Sequence, residues 1–304
     1  MRQQATDPCV ADDVSPASAH LAALLRAASL EIYAANDSGE SLARFFAPGT
    51  DIYISYLPGD DYRSRAAIAA SVRKAGFNPV LHVPVRQMTS RDCLDDFLGL
   101  AAQVAQVERV LLIAGDVVRA RGPLESSLDI IESGMLQRHG VHSVDVAGHP
   151  EGNLSLSRER LNLILAAKRD AAKAAGLRFG IVSQFCFDPR PIADWLVDLQ
   201  ANGIDVPIRI GLAGPANPTT LLKFALRCGV GNSLMALQKH ASTVGRLLKD
   251  AGPEGVVRGL GPVLTQAAGR CVESFHFFPF GGLAKTSAWI QTNLEMLATP
   301  PHRP

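Results

Sequence analysis

Acidic, amide and imidazole side chains recur in this sequence at the points where short apolar runs end. The run VLLIA is followed directly by Gly115 and Asp116, and another run places Glu31 near its end. Carboxyl groups can supply or accept protons, while imidazole and carboxamide groups can orient a flat polar ring. No HxH or HxxxH pair occurs among the run-end histidines, so no metal site is predicted. The run-end residues are Glu31, Ser55, Tyr56, His82, Asp116, His149, Glu151, Gln184, Asp188 and His276.

Each of these residues also has a purely structural explanation. His82 and His276 can be core histidines with satisfied hydrogen bonds, and Gln184 can anchor a loop. Asp188 precedes a proline in the manner of a helix N-cap. Asp116, taken alone, is better explained as a cap or a turn residue. The functional interpretation therefore depends on whether these side chains converge at one place.

The elements that position these residues alternate between short apolar runs and longer amphipathic, alanine-rich segments. Apolar runs of this kind are typical of strands covered on both faces of a sheet. The eight predicted strands are SLEIYA, DIYISYL, NPVLHVPV, RVLLIAGD, SVDVAGHPEG, RFGIVSQFCFD, PIRIGLAG and ESFHFFPFGG. The segments with helical spacing of apolar residues include RSRAAIAASVRKAG, RDCLDDFLGLAAQVAQ, SRERLNLILAAKRDAAKAAG, PIADWLVDLQANG and PTTLLKFALRCG.

Eight strand-helix units in one chain of 304 residues predict an α/β protein, a single closed (β/α)8 TIM barrel. An open doubly wound sheet is the less favoured alternative, because neither GxGxxG nor GxxxxGK[ST] is present. We expect a flexible lead-in over 1–16, the barrel over 17–298 and a tail over 299–304. In such barrels the ligand site lies at the C-terminal ends of the strands, where all the run-end residues would meet.

Composition excludes several classes of partner. Thirty basic and twenty-nine acidic residues leave a net charge of +1, without a long charge run, so neither nucleic acid nor a membrane is expected. The five cysteines are scattered and never in CxxC spacing, which favours a reducing cytoplasm over a disulfide or zinc framework. The sequence contains no stretch of about eighteen apolar residues, so no membrane span is predicted. The expected partner is a small molecule, and a homo-oligomer is possible.

The strand endings IAGD, AGHPEG and SQFCFD resemble, in order and separation, those of methylenetetrahydrofolate reductases. Members of that family are FAD-containing barrels that read R-G-D, Y/H-P-E and T-Q-F-F-F-D there. Supporting similarities are SYLPG, LHVPV, GPLESSLDII and FHFF. Together these segments cover nearly the whole span from Glu31 to Trp289.

The resemblance implies an enzyme that interconverts 5,10-methylenetetrahydrofolate and 5-methyltetrahydrofolate by hydride transfer through FAD. The methylene bridge accepts a hydride only after its ring opens, which requires an acid to protonate the departing nitrogen. Glu31 matches the family's general acid, and burial is expected to keep its carboxyl partly protonated near neutral pH. Asp116 matches the carboxylate that faces the pterin and influences the flavin. Gln184 matches a carboxamide that reaches the pterin edge.

The same resemblance implies the contacts of the cofactor and the substrate. Basic residues on the helix after AGHPEG are expected to meet the FAD pyrophosphate, although which of them does so stays open. The implied FAD contacts are Ser55, Tyr56, His82, Gly115, Asp116, Ser127, His149, Glu151, Asn162, Lys168, Arg169 and Lys173. The implied substrate contacts are Gln184, Phe224 and His276.

The sequence also departs from the family pattern. The first strand reads LEIYAAND where the family has F-E-F-F-P-P, and the last strand continues as FPFGG instead of T-L-N-R. The reductant, NADH, NADPH or another donor, and the direction of the reaction therefore stay open. Two alternative functions are that of a pterin-binding methyltransferase barrel without flavin and that of a catalytically silent barrel subunit.

Overall fold

The computed structural model of this chain describes residues 15–33, 39–56, 59–115, 117, 119–153, 155–227 and 252–299. Eight parallel strands close into a barrel in chain order, and the last strand pairs with the first. This closure confirms the predicted (β/α)8 TIM barrel. The strands are β1 Ser29–Ile32, β2 Asp51–Ile54, β3 Asn78–Pro84, β4 Arg109–Ile113, β5 Ser143–Gly148, β6 Arg178–Ser183, β7 Ile208–Ala213 and β8 Val272–Phe278.

Helices surround the barrel, and the five predicted amphipathic segments all form helices. The first helix begins at Pro16, capped by the Ser15 hydroxyl, one residue before the expected start of the fold. Most of the predicted lead-in (1–14) and tail (300–304) lies outside the described residues. The helices are α1 Pro16–Arg26, α2 Gly39–Ala43, α3 Tyr62–Lys74, α4 Arg91–Ala105, α5 Ser127–Ile131, α6 Met135–Arg138, α7 Arg158–Ala174, α8 Pro189–Ala201, α9 Pro218–Arg227, α10 Glu254–Leu264 and α11 Leu283–Ala298.

Side chains of each strand alternate between the helix-facing core and the barrel interior, as the pleat requires. In β2, Ile52 and Ile54 join the large apolar core between sheet and helices, whereas Tyr53 points inward. The helix-facing core is almost entirely aliphatic and aromatic, so burial of this layer stabilises the barrel. Within the described part of the chain, no helix is long and apolar enough to cross a bilayer.

Charged side chains fill the N-terminal end of the barrel interior. Arg209, which is 5% exposed, lies 3.0 Å from Glu273, 3.5 Å from Asp51 and 3.8 Å from Asp145. Arg109 lies 2.5 Å from Asp51. Burying an ion costs free energy unless it is paired, and here each buried charge has at least one partner of opposite sign. We call these five side chains the floor network.

Tyr53 connects the floor network to the upper interior. Its hydroxyl donates a 2.6 Å hydrogen bond to Asp145, and the edge of its ring packs against His276 with centroids 4.7 Å apart. Its ring is also 6.2 Å from that of His82. Three aliphatic side chains complete this middle layer: Val80, Leu111 and Val182. The interior is thus ionic at the N-terminal end, packed in the middle and polar above.

Candidate active site

Glu31 occupies the upper interior on β1, and its two carboxylate oxygens have different neighbours. Oε1 accepts a 2.5 Å hydrogen bond from the Ser55 hydroxyl, one residue past the end of β2. Oε2 faces two imidazoles, with Nε2 of His82 at 3.6 Å and Nε2 of His276 at 3.5 Å. Nδ1 of His276 is 2.9 Å from the Ser29 hydroxyl. The barrel therefore brings together three of the predicted strand-end residues around one carboxylate.

The pKa of Glu31 lies below its ordinary value, which is opposite to the expectation from sequence. Burial raises this pKa, but the nearby imidazoles of His82 and His276 and the hydrogen bond from Ser55 together outweigh burial. Burial also lowers the pKa of His82, although Glu31 acts in the other direction. The expectation considered only apolar neighbours along β1, whereas the neighbours that decide the pKa come from β2, β3 and β8.

The Nε2 atoms of His82 and His276 are both buried and have no hydrogen-bond partner among the described residues. Each lies slightly beyond hydrogen-bonding distance of the same Glu31 oxygen. Buried polar atoms in proteins normally have a partner, either protein or ordered water. A small shift of the carboxylate, or one water molecule, would satisfy these nitrogens. This group can therefore hold and redistribute a proton.

Gln184 lies at the mouth of the barrel, directly after β6. Its side-chain oxygen accepts a 3.1 Å hydrogen bond from the Phe185 amide, which fixes the carboxamide orientation. The residue is half-buried, as are Ile113 and Ala147, which follow the inward alternation on β4 and β5. Side chains pointing inward yet partly exposed mark an opening at the C-terminal end of the barrel. Gln184 thus presents its amide group at this opening.

Aromatic rings form a cluster on the β6 to β8 side of the mouth. Phe224 from α9 stacks on Phe280 with centroids 4.1 Å apart and an interplanar angle of 16°. Tyr33, two residues after Glu31, lies 6.4 Å from Phe280 in a stacked arrangement. The remaining rings of the cluster are Phe185, Phe187 and Phe278. Several of these rings are only partly buried, so they offer flat apolar surface to a ligand.

Several of the residues predicted to contact a flavin lie around the β2 to β5 side. The Tyr56 hydroxyl donates to the Asp60 carbonyl at 2.8 Å, and Ser127 is buried at the start of α5. Gly115 has a φ of +86°, and a Cβ there would lie 3.3 Å from the Gln87 side chain. The positive φ and the close approach of Gln87 both favour glycine at this position.

His149 and Glu151 follow β5 on the same side of the mouth. Burial, and secondly the charge of Lys168, lower the pKa of His149. Glu151 lies against the Cys186 thiol, whose pKa is raised by burial and by Glu151. His149 is therefore mainly neutral at physiological pH and can donate or accept a hydrogen bond.

The four predicted residues of α7 have different surroundings. Lys168 is half-buried and close enough to His149 to influence it, and burial lowers the pKa of Lys168 itself. Asn162 donates a 2.7 Å hydrogen bond to Asp198. Arg169 donates to the Gly203 carbonyl, which precedes β7 at the opposite end of the barrel.

Lys173, in the last turn of α7, is exposed. Of the predicted cations on this helix, Lys168 is thus the one that the structure associates with the rim.

Two further strand-end residues, Asp188 and Asp116, remain to be placed in the structure. Asp188 is the N-cap of α8, where its carboxylate accepts from the Arg190 amide, so the structural explanation is confirmed. Asp116 lies outside the described residues, and its role stays a prediction.

Tyr53, Gln87 and Arg65 were not among the residues predicted for the site, whereas Phe280 lies in the FPFGG turn that ends the eighth predicted strand. Tyr53 was visible as the inward position in the alternation of DIYIS, but its partners depend on closure of the barrel. Arg65 is a cation in an alanine-rich helix, and its burial against the ends of β1 and β2 cannot be inferred from local sequence.

Comparison with known proteins gives similarities of fold. No known protein-family profile matches the chain. A dihydropteroate synthase from Thermus thermophilus aligns with a TM-score of 0.49 and 12% identity, over 87% of this chain and 93% of that chain. A 2,3-dimethylmalate lyase, described as a PEP mutase/isocitrate lyase superfamily member, aligns with a TM-score of 0.47 and 13% identity, over 92% of this chain and 87% of that chain. The closed parallel sheet itself establishes the barrel.

Proposed function

We propose that this protein is a flavin-dependent oxidoreductase that interconverts 5,10-methylenetetrahydrofolate and 5-methyltetrahydrofolate. The observation that carries the proposal is the buried Glu31 carboxylate, which Ser55, His82 and His276 surround at the mouth of the barrel. A carboxyl group placed between a hydroxyl and two imidazoles at a ligand opening is suited to general acid catalysis. Protonation of a ring nitrogen is the step that this substrate requires.

The supply of the proton depends on the opposing effects that set the pKa of Glu31. In the free protein the imidazoles and Ser55 hold its pKa below the ordinary value, so the carboxylate is the stable form at neutral pH. A ligand that covers the mouth excludes water, and desolvation favours the neutral carboxyl. The proton is then held on Oε2, next to the nitrogens of His82 and His276. We infer that the acid is formed when substrate binds.

The residues around the opening fit a flat ring with polar edges. The amide nitrogen of Gln184 can donate to the ring while its oxygen is held by the Phe185 amide. The half-buried cluster around Phe224 and Phe280 can pack against the ring or the aromatic group attached to it. Asp116 is expected from sequence to face the substrate from the end of β4.

The fit of FAD differs between its two halves. For the flat ring system, the residues proposed to make contact are Gly115 after β4, Tyr56 after β2 and His149 after β5. For the pyrophosphate, Lys168 is the predicted cation that lies near the rim, since Arg169 is engaged by Gly203 at the other end of the barrel. When bound, FAD would accept and donate the hydride. The residues that would hold it are Tyr56, His82, Gly115, Ser127, His149 and Lys168.

The decisive experiment is the visible spectrum of the purified protein before and after incubation with FAD. We expect uptake of about one FAD per chain, followed by anaerobic bleaching with NADH or NADPH. Reoxidation by methylenetetrahydrofolate then identifies the substrate. A folded protein that takes up no FAD would overturn the proposal, and methyl transfer from methyltetrahydrofolate by that protein would support a flavin-free methyltransferase instead.

A further inference from the structure

Arg65 is a buried cation on the first turn of α3, outside the residues considered so far for catalysis. Its side chain is 6% exposed and forms an ion pair with Asp60, in the segment between β2 and α3. Its Nη1 donates a 3.4 Å hydrogen bond to the Tyr33 carbonyl, immediately after β1. A single guanidinium thus joins the residue that follows β1 to Asp60, which directly precedes the N-cap of α3.

The ends of β1 and β2 carry the catalytic pair. Glu31 is two residues before Tyr33, and Ser55 immediately precedes Tyr56, whose hydroxyl donates to the Asp60 carbonyl. The backbone pairing of β1 and β2 continues one step beyond the strands, with the Ser55 amide donating to the Ile32 carbonyl at 3.0 Å. Arg65 therefore connects Tyr33, two residues after Glu31, to Asp60, whose carbonyl accepts from Tyr56, the residue after Ser55.

The burial of Arg65 is incompletely compensated. Its Nε atom is buried without a hydrogen-bond partner among the described residues. A buried ionic group with an unsatisfied donor is a poor means of stabilising a fold, and an apolar side chain of similar volume would avoid that cost. Its position is better explained by a requirement for a fork-shaped cation that joins a carboxylate and a carbonyl.

We propose that Arg65 is a positioning residue that holds the ends of β1 and β2 together, and so keeps Glu31 in register with Ser55 beneath the substrate. The inference about catalysis rests on the proposed function, whereas the inference about geometry does not. Tyr33 belongs to the aromatic cluster, so the same contact also fixes one ring of the mouth. Misplacement of a catalytic group by about 1 Å can slow a reaction about a hundredfold.

The charge of Arg65 also acts on the site. Four groups face His82: Glu31 from β1, His276 from β8, Arg65 from α3 and the Tyr53 ring from β2. Burial lowers the pKa of His82 most, Glu31 raises it, and His276 and Arg65 lower it further. Removal of the guanidinium should therefore raise the pKa of His82. A residue that merely filled space would leave this titration unchanged.

The test compares Arg65→Gln and Arg65→Lys with Arg63→Gln. Arg63 is two residues earlier on the same helix, and its exposed guanidinium lies 4.6 Å above the Tyr62 ring. We expect Arg65→Gln to accelerate hydrogen exchange at the Ser55 amide but not at the Ile181 amide, which donates to Pro207 in the distant β6–β7 pair. The pKa of His82, followed by NMR, should rise. Arg65→Lys should preserve the His82 pKa and partly restore slow exchange.

In the folate half-reaction we expect Arg65→Gln to be about ten- to a hundredfold slower. Unchanged Ser55 exchange and His82 titration in Arg65→Gln would overturn the positioning role, whether or not the protein binds FAD. If Arg65→Gln does not fold, faster Ser55 exchange in Arg65→Lys, with equal exchange at Ile181, supports the proposal, and no difference overturns it. Absence of FAD uptake in the unmodified protein would overturn the proposed function alone.

Discussion

The Ser55 hydroxyl and the Glu31 carboxylate share a 2.5 Å hydrogen bond across the first strand pair of the barrel. This bond occupies Oε1 and leaves Oε2 to face His82 and His276. Because Ser55 donates to one oxygen, an added proton is better placed on the other. The two oxygens therefore differ in their surroundings: Oε1 is held by Ser55, and in the proposed reaction Oε2 is the atom that would gain and release the proton.

Glu31→Gln should separate the two half-reactions. The substitution keeps the shape of the side chain but removes the acid, so reduction of methylenetetrahydrofolate should fall by about a hundred- to ten-thousandfold, as is typical of general acids. FAD should still bind and still be reduced by its donor. Stopped-flow absorbance of each half-reaction measures this difference. Reoxidation by the folate at the unmodified rate would show that Glu31 is not the acid.

The pH dependence provides an independent check on the same carboxyl. Since the pKa of Glu31 is held below its ordinary value, the protonated fraction of the free protein falls as pH rises through neutrality. The second-order rate constant of the folate step should then decline by about tenfold per pH unit in this range. In Glu31→Gln this decline should disappear. A profile that rises with pH would contradict the proposed role.

Gln184→Glu should impair the folate step selectively. The new carboxylate can still accept the Phe185 amide hydrogen, but it has no N–H to donate to a pterin edge. We expect a loss of about tenfold or more in kcat/KM for methylenetetrahydrofolate, with flavin reduction nearly unchanged. Gln184→Asn is the control for side-chain length. Equal losses in both half-reactions would indicate a structural role.

Acidification should destabilise the folded protein before its carboxylates titrate. Burial lowers the pKa of His82 and of His149 in the folded state below the ordinary value of 6.5. Below about pH 6.5 the unfolded chain therefore binds more protons than the folded protein. The free energy of unfolding has its full value above about pH 6.5 and declines below that pH. The slope should approach about 1.4 kcal/mol per pH unit for each histidine.

Urea denaturation between about pH 7.5 and about pH 5.5 tests this expectation in the range where imidazoles titrate. His149→Gln should reduce the slope, because one of the two groups is removed. A midpoint that does not change with pH would contradict burial of these imidazoles in the neutral form.

Arg209→Met should be strongly destabilising because it leaves buried carboxylates without their partner. Asp145 is 1% exposed and, among the described residues, would keep the more distant Arg109 as its counter-ion. Loss of one member of a buried ionic group typically costs about 3–5 kcal/mol. Arg190→Met is the control, since Arg190 pairs with Asp188 on the surface and should have almost no effect. Chemical denaturation of both variants measures the difference.

The order and nature of the eight strands could be predicted because each run of apolar residues is local and ends in a turn signal. The starts of β2, β3 and β4 at Asp51, Asn78 and Arg109 coincide with the predicted runs. The partners within the barrel could not be predicted in the same way. Asp145 and Arg209 read as isolated charges in SVDV and PIRIG, and only closure of the sheet places them opposite one another.

The site was predictable in position but not in electrostatics. Convergence of Glu31, His82 and His276 follows from the rule that strand ends meet at one rim. The sign of the shift in the pKa of Glu31 depends on distances of 3.5 and 3.6 Å between strands that are far apart in sequence. The directions of the α7 side chains could not be predicted either, because helical spacing alone does not show that Arg169 reaches Gly203.

The floor network and the packed layer above it close the barrel interior at its N-terminal end, so far as the described residues extend. Tyr53, Val80, Leu111 and Val182 fill the middle of the interior, and below them Arg209 and its carboxylates occupy the base. Whatever reaches Glu31 must then arrive and leave through the same opening. Two molecules that need the same reacting atoms at this opening have to bind one after the other. An excess of either one should therefore slow the reaction of the other by occupying the opening.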